Sequence, residues 1–202
     1  MTVILAAPSP DRLPAYVAEL ERGWSPNTVF PEQGAREELA QIAADASAFL
    51  AGIDDPRGLG PPVPQPDGTT IPRLPSFRRW IVADEELVGG IGIRWQPGTD
   101  ALPPHVMGHI GFSIIPRFRG RGHARRGLEL MLEAAWELGL CSVELTAHAD
   151  NAASLAVLEA CGGVLEAHFT TPQAWGARPA VRYRIRRPDP AATGQGAAAG
   201  MQ

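Results

Sequence analysis

The stretch RFRGRGHARRG, Arg117 to Gly127, places five arginines and three glycines in eleven residues of a chain whose formal net charge is -4. It follows VMGHIGFSII, which reads as a strand over Val106 to Ile115 ended by Pro116, because proline brings no amide to a ladder. It opens a helix over His123 to Leu138, in which Ala124, Leu128, Met131, Leu132, Ala135 and Leu138 share one face and Gly139 is the stop. Arginines at that position oppose the helix macrodipole, whose N-terminal end already behaves as about half a positive charge. Arg119, Arg121, Arg125 and Arg126 therefore call for an anion. Gly120 and Gly122 let backbone amides approach it closely, and phosphate is the natural guest of amides at a helix start. A P-loop would need a Gly-Lys-Ser/Thr ending, and the chain contains no lysine. A dinucleotide fingerprint begun at Gly120 and Gly122 would need a third glycine where Arg125 stands.

Outward from this turn, the chain is 202 residues long and 45% hydrophobic, enough for one domain with its own core. A net negative charge speaks against nucleic-acid binding, so the arginine cluster has a local purpose. The N-terminal MTVILAAPSPDRLP has no basic n-region, and no uncharged apolar run approaches the roughly 20 residues of a membrane span, so we expect a cytoplasmic protein with no membrane partner. Cys141 and Cys161 lack the spacing of a metal site or a disulfide framework and are expected to be small buried thiols; no metal is expected.

Helices are expected at Leu13 to Arg22 and, as one element, Pro31 to Leu50, ended by Gly52. Residues 56 to 75 are rich in Pro and Gly and read as a long loop of the kind that covers a site. RRWIVAD and ELVGGIGIRW flank a polar turn at 84 to 86, the pattern of an antiparallel hairpin. CSVELTAH is a strand, NAASLAVLEACGG a helix with Asn151 as N-cap, and VLEAHF with AVRYRIR a closing pair of strands. The tail 188–202 is expected to be disordered. Strands followed by strand, helix, strand, helix, strand give a mixed α/β sheet with helices on its faces.

The spacing Arg119-x-x-Gly122-x-Ala124, after a strand and opening a helix, resembles the signature of the GNAT superfamily of acetyl-CoA-dependent N-acetyltransferases. ADNAASLAVLEACGGVLE resembles that family's second block, with Asn151-x-x-Ser154, then Leu158-Glu159 ahead of a glycine turn. The likeness is strongest over 80–187, within a single domain at 1–187, and GHIGFSII to GGVLE looks especially like a subgroup of predicted acetyltransferases whose substrates are unsettled. The resemblance implies an α/β (α+β) fold: a mixed, mostly antiparallel twisted sheet with a splayed parallel strand pair, here Val106 to Ile115 and Cys141 to His148, and flanking helices. It also implies acetyl-CoA as co-substrate, held by main-chain groups at Ile114, by Arg119, Gly120, Arg121, Gly122, His123 and Ala124 at the pyrophosphate, and by Asn151 near the inner end of the cofactor. For Asn151, the plain N-cap role stands beside this one. A family habit of pairing brings in a homodimer.

Transfer by direct attack in a ternary complex needs a neutral amine, so a base or a water chain must take a proton. His109 is the only titratable side chain on the strand before the arginine turn and is the first candidate, beside a purely structural reading of a histidine in the core. Glu144 and His148 are weaker candidates. Many family members carry a tyrosine in the second block to protonate the leaving thiolate, but Leu158 stands there. A thiol of pKa near 8.5 leaves without much help, and Ser154 or water can stand in. Trp95 and the loop 56–75 are conjectured to line the pocket of a small-molecule or peptide amine acceptor. Against this reading stand a non-catalytic acyl-CoA-binding sensor, suggested by the missing tyrosine, and a nicotinamide oxidoreductase, which the glycine spacing disfavours.

Overall fold

The computed structural model describes residues 2–64 and 69–189. A short strand, β1 (Val3–Ala6), is followed by helices α1 (Leu13–Glu21), α2 (Pro31–Ala44) and α3 (Ala46–Ala51). The single helix expected over 31 to 50 is broken at Asp45, which is extended (φ -161, ψ 99) and whose carboxylate accepts from the Ala48 amide at 2.9 Å. A side chain that offers the backbone an acceptor ends one helix and caps the next. Within 56–75 the described residues form a minimal hairpin of β2 (Val63–Pro64) and β3 (Thr70–Ile71); part of that loop, and the tail from residue 190, lie outside the described residues.

Strands β4 (Ser76–Ala83) and β5 (Glu86–Arg94) form the expected hairpin. Its two-residue turn holds Asp84 and Glu85 at φ 45 and 73, the left-handed pair whose twist suits a hairpin. β1, which sequence periodicity did not reveal, pairs antiparallel with β4 from Val3↔Ala83 to Ala6↔Trp80. β6 (Ile110–Ile114) completes the sheet β1-β4-β5-β6, and α4 (His123–Glu137) packs across it. Leu128, Met131 and Ala135 are completely buried there, and Gly127 lets the helix sit close: a Cβ would lie 2.8 Å from Cδ1 of Ile81. Then β7 (Ser142–His148), α5 (Ala152–Ala160), β8 (Val164–Thr170) and β9 (Pro179–Arg186) build a second, antiparallel sheet in the order β7-β9-β8.

β6 is shorter than the expected Val106 to Ile115 because Gly108 (φ 136) bends the chain out of the ladder. The residues so released reach β7: the His109 amide donates to the Glu144 carbonyl at 2.7 Å, and the Thr146 hydroxyl donates to the Met107 carbonyl at 2.5 Å. β6 and β7 share no further ladder, so the splayed pair is the seam where two sheets meet at one end and part at the other. Under the first sheet, Tyr16 stacks on Trp80 at 5.0 Å and meets Trp24 edge-on at 5.8 Å, and its hydroxyl donates to Glu38, which also takes Arg78. Contrary to expectation, Cys141 is exposed and Cys161 half-buried: Cys141 lies in the turn before β7, where its amide serves Asp100. Among the described residues no helix is long and apolar enough to cross a membrane.

Candidate active site

The turn between β6 and α4 is built from two left-handed glycines, Gly120 (φ 74) and Gly122 (φ 81). These dihedrals turn successive amides to one side, and Gly122 at the N-cap supplies no side chain to satisfy them. Among the described residues, no acceptor meets the backbone N-H groups of residues 120 to 125; the next one, of Arg126, donates to the Gly122 carbonyl. A row of unpaired donors at the positive end of a 15-residue helix is a ready anion cradle.

The arginines divide their labour in a way that adjusts the sequence argument. Arg117 pairs with the buried Glu19, and Arg125 and Arg126 pair with Glu129 at 2.9 and 3.2 Å. Arg125, then Arg126, hold the Glu129 carboxyl below the usual carboxylate range. At Glu19, burial pushes the carboxyl up, but hydrogen bonds from Arg117 and Arg22 outweigh it and hold the group below its ordinary value. Three of the five arginines are thus ion-paired within the chain, Arg125 and Arg126 sharing a single carboxylate. Arg119 donates its Nε to the Ile114 carbonyl at 3.1 Å, tying the turn to the end of β6, and Arg121 makes no ion pair among the described residues, its guanidinium standing 5.6 Å from the Phe118 ring centre. These two retain charge for a guest.

The cradle opens into a cavity of about 790 Å³ that runs along the seam, with Ile110 to Ile114 of β6 on one wall and Leu145 to His148 of β7 on the other. Of the residues expected at the cofactor, Ile114, Arg119, Gly120, Gly122, His123, Ala124 and Asn151 all line this cavity, and Ser154 joins them. Arg121 does not. Asn151 fills both of its readings, since its Oδ1 caps α5 by accepting from the Ser154 amide at 3.1 Å while the residue lines the wall. Leu158 is buried in the same wall.

His109 sits behind the cavity wall and braces the seam. It is fully buried, it is absent from the cavity wall, and its Nδ1 accepts the Glu144 amide at 2.9 Å across the seam. Desolvation holds its imidazole below the ordinary histidine value, with Glu144 and Asp100 pulling the other way. Glu144 points its carboxylate to Arg184 (2.6 Å) and Arg182 (3.6 Å), and of the three proton acceptors weighed from sequence only His148 lines the cavity. Trp95 and the described part of loop 56–75 are also absent from the wall; Trp95 packs edge-on against Phe77 at 6.0 Å. Their place is taken by residues that sequence reasoning missed: Trp24, Ser25 and Asn27 to Val29 between α1 and α2, with Thr171 and Trp175 between β8 and β9. Trp24 is anchored by donating to the Ser113 hydroxyl at 2.9 Å, a contact spanning 89 positions that no local pattern announces. Among the described residues, no group of three His, Cys, Asp or Glu is placed to hold a metal ion.

The family model described as the acetyltransferase (GNAT) domain matches residues 4–164. No curated protein matches the sequence significantly. Similar solved structures include RimL, a ribosomal L7/L12 alpha-N-protein acetyltransferase in complex with coenzyme A (15% identity over 92% of this chain and 94% of that one, TM-score 0.62). The microcin C7 self-immunity acetyltransferase MccE with acetyl-CoA and AMP is 11% identical over 92% of each chain, with a TM-score of 0.60. RimJ from Mycobacterium smegmatis with CoA-disulfide is 18% identical over 91% of this chain and 81% of that one, also at 0.60. At these identities the likeness is one of fold.

Proposed function

The chain belongs to the GNAT acetyltransferase family, and from that premise we propose that it moves an acetyl group from acetyl-CoA to a primary amine by direct attack within a ternary complex. The observation that carries this reading is the row of unpaired amides at residues 120 to 125, opening on a cavity that follows the edges of two sheets. The residues present fit the co-substrate. The amides, with Arg119 and Arg121, suit a diphosphate, and the parted edges of β6 and β7 suit an extended amide-bearing arm. When bound, acetyl-CoA would supply the activated thioester. The chain's own part is to grip the anionic end, to hold Asn151 and Ser154 on the wall, and to shield the seam from water with the Trp24 segment.

For the acceptor, the described wall carries no Asp or Glu, so nothing there matches a polycation. A single amine of modest basicity is favoured, as at a peptide α-amino terminus with pKa of about 8. RimL, a ribosomal L7/L12 alpha-N-protein acetyltransferase, shares this fold, and this supports the choice. The test is thiol release from acetyl-CoA against a panel of peptides, polyamines and aminoglycosides, with the intact protein and Arg119→Glu. We expect turnover with peptides, and a variant that folds but binds CoA about tenfold to hundredfold more weakly, the worth of one charge-assisted contact. Unchanged CoA affinity would overturn the phosphate assignment. Leu158, in place of a proton-donating tyrosine, sustains the sensor as a second reading, which CoA binding without turnover on any amine would establish.

A further inference from the structure

Few groups on the cavity wall can titrate. Among the described residues they are Arg119, Arg125, His123 and His148. Guanidinium groups do not give up their protons in proteins, so they accept none from a substrate. His123 is the first residue of α4, beside the unpaired amides, where the macrodipole opposes an imidazolium. His148 ends β7 beyond that cradle, opposite Ala180 in the ladder, and its carbonyl takes the Asn151 amide at 3.0 Å. Its Nδ1 is buried and meets no partner in the chain. The Nδ1 of His123 is closed off in the same way, and in His148 the ring nitrogen left to meet a guest at this wall is Nε2. The charged groups on the elements around it are already paired: Asp150 with Arg178 at 2.8 Å, and Glu144 with Arg182 and Arg184.

We infer that His148 is the catalytic base that takes the proton of the acceptor's ammonium through Nε2. The inference rests on the acetyl-transfer reading. In balanced form, the ammonium gives one proton to Nε2 and its freed lone pair forms the C-N bond to the thioester carbonyl carbon. The C-S bond breaks with its electron pair on sulfur, the second proton shed by nitrogen neutralises that sulfur, and the imidazolium returns its proton to solvent. Imidazole is the side chain whose ordinary titration range suits this task near neutral pH.

The experiment compares the full chain with His148→Gln, using acetyl-CoA and a neutral tripeptide with a free α-amine. At pH 7 we expect kcat/KM to fall about 10²- to 10⁴-fold. The deficit should shrink as pH rises past about 8, where the amine deprotonates unaided. CoA affinity by calorimetry should stay within twofold of the parent protein. The acid limb of kcat/KM seen with the parent protein should be lost in the variant. Activity of the variant within threefold of the parent overturns the assignment alone, as does a loss that is the same at pH 6.5 and pH 9 or that comes with weakened CoA binding. Absence of turnover by the parent protein on every amine, with CoA still bound, overturns the transferase reading and the assignment together.

Discussion

Arg119 and Arg125 stand six positions apart in one turn, yet their partners separate their roles. Arg125 already spends its charge on Glu129, whereas Arg119 uses only Nε on the Ile114 carbonyl. Arg119→Glu is therefore expected to cost CoA affinity about tenfold or more by calorimetric titration, and unchanged affinity would place the anion elsewhere. His109 carries a pH dependence. Burial keeps it neutral in the fold, while the unfolded chain binds a proton near pH 6.5, so the folded state binds fewer protons in that range. Stability is then full above about pH 6.5 and falls as pH drops through it. His109→Asn, which keeps an acceptor but does not titrate, should flatten the decline of Tm between pH 7 and 5.5, and an unchanged decline would place its origin elsewhere.

At the scale of elements, α4 was legible because its own face is periodic, while α2 and α3 were merged because a single Asp can close one helix and start another without disturbing the apolar count. β6 lost its first residues to a tertiary demand: the chain leaves the ladder at Gly108 to stitch the two sheets together. β1 was missed because four residues carry little pattern and its partner strand begins some seventy positions later. The close seat of α4 on the first sheet depends on Gly127, beneath which Ile81 is fully buried. Gly127→Val should lower stability by about 1–3 kcal/mol through overpacking, measured by urea unfolding, and should weaken CoA binding in parallel if it tilts the start of the helix.

The whole molecule is two sheets pinned at one end of a seam and open at the other, and that opening is the cavity. A ligand that binds only the folded state stabilises it by RT ln(1 + [L]/Kd), about 2.7 kcal/mol at a hundredfold excess over Kd. CoA should raise Tm accordingly by several degrees, NAD should leave it unmoved, and Arg119→Glu should cut the shift to about half or less. A shift with NAD equal to that with CoA would return the oxidoreductase to consideration.

What the sequence by itself determined is the anion cradle, the helix behind it, the N-cap at Asn151 and the hairpin of β4 and β5. Each arises from dihedral preferences and amides of consecutive residues, so a few positions suffice to write it. Only the tertiary structure decided which arginines are free, that His109 braces while His148 lines the cavity, and that Trp24 and Trp175 take the wall conjectured for Trp95. Those outcomes turn on contacts such as Arg117 to Glu19 and Trp24 to Ser113, 98 and 89 positions apart, and a side chain's partner across such distances is set by how sheets pack, not by its neighbours in the chain.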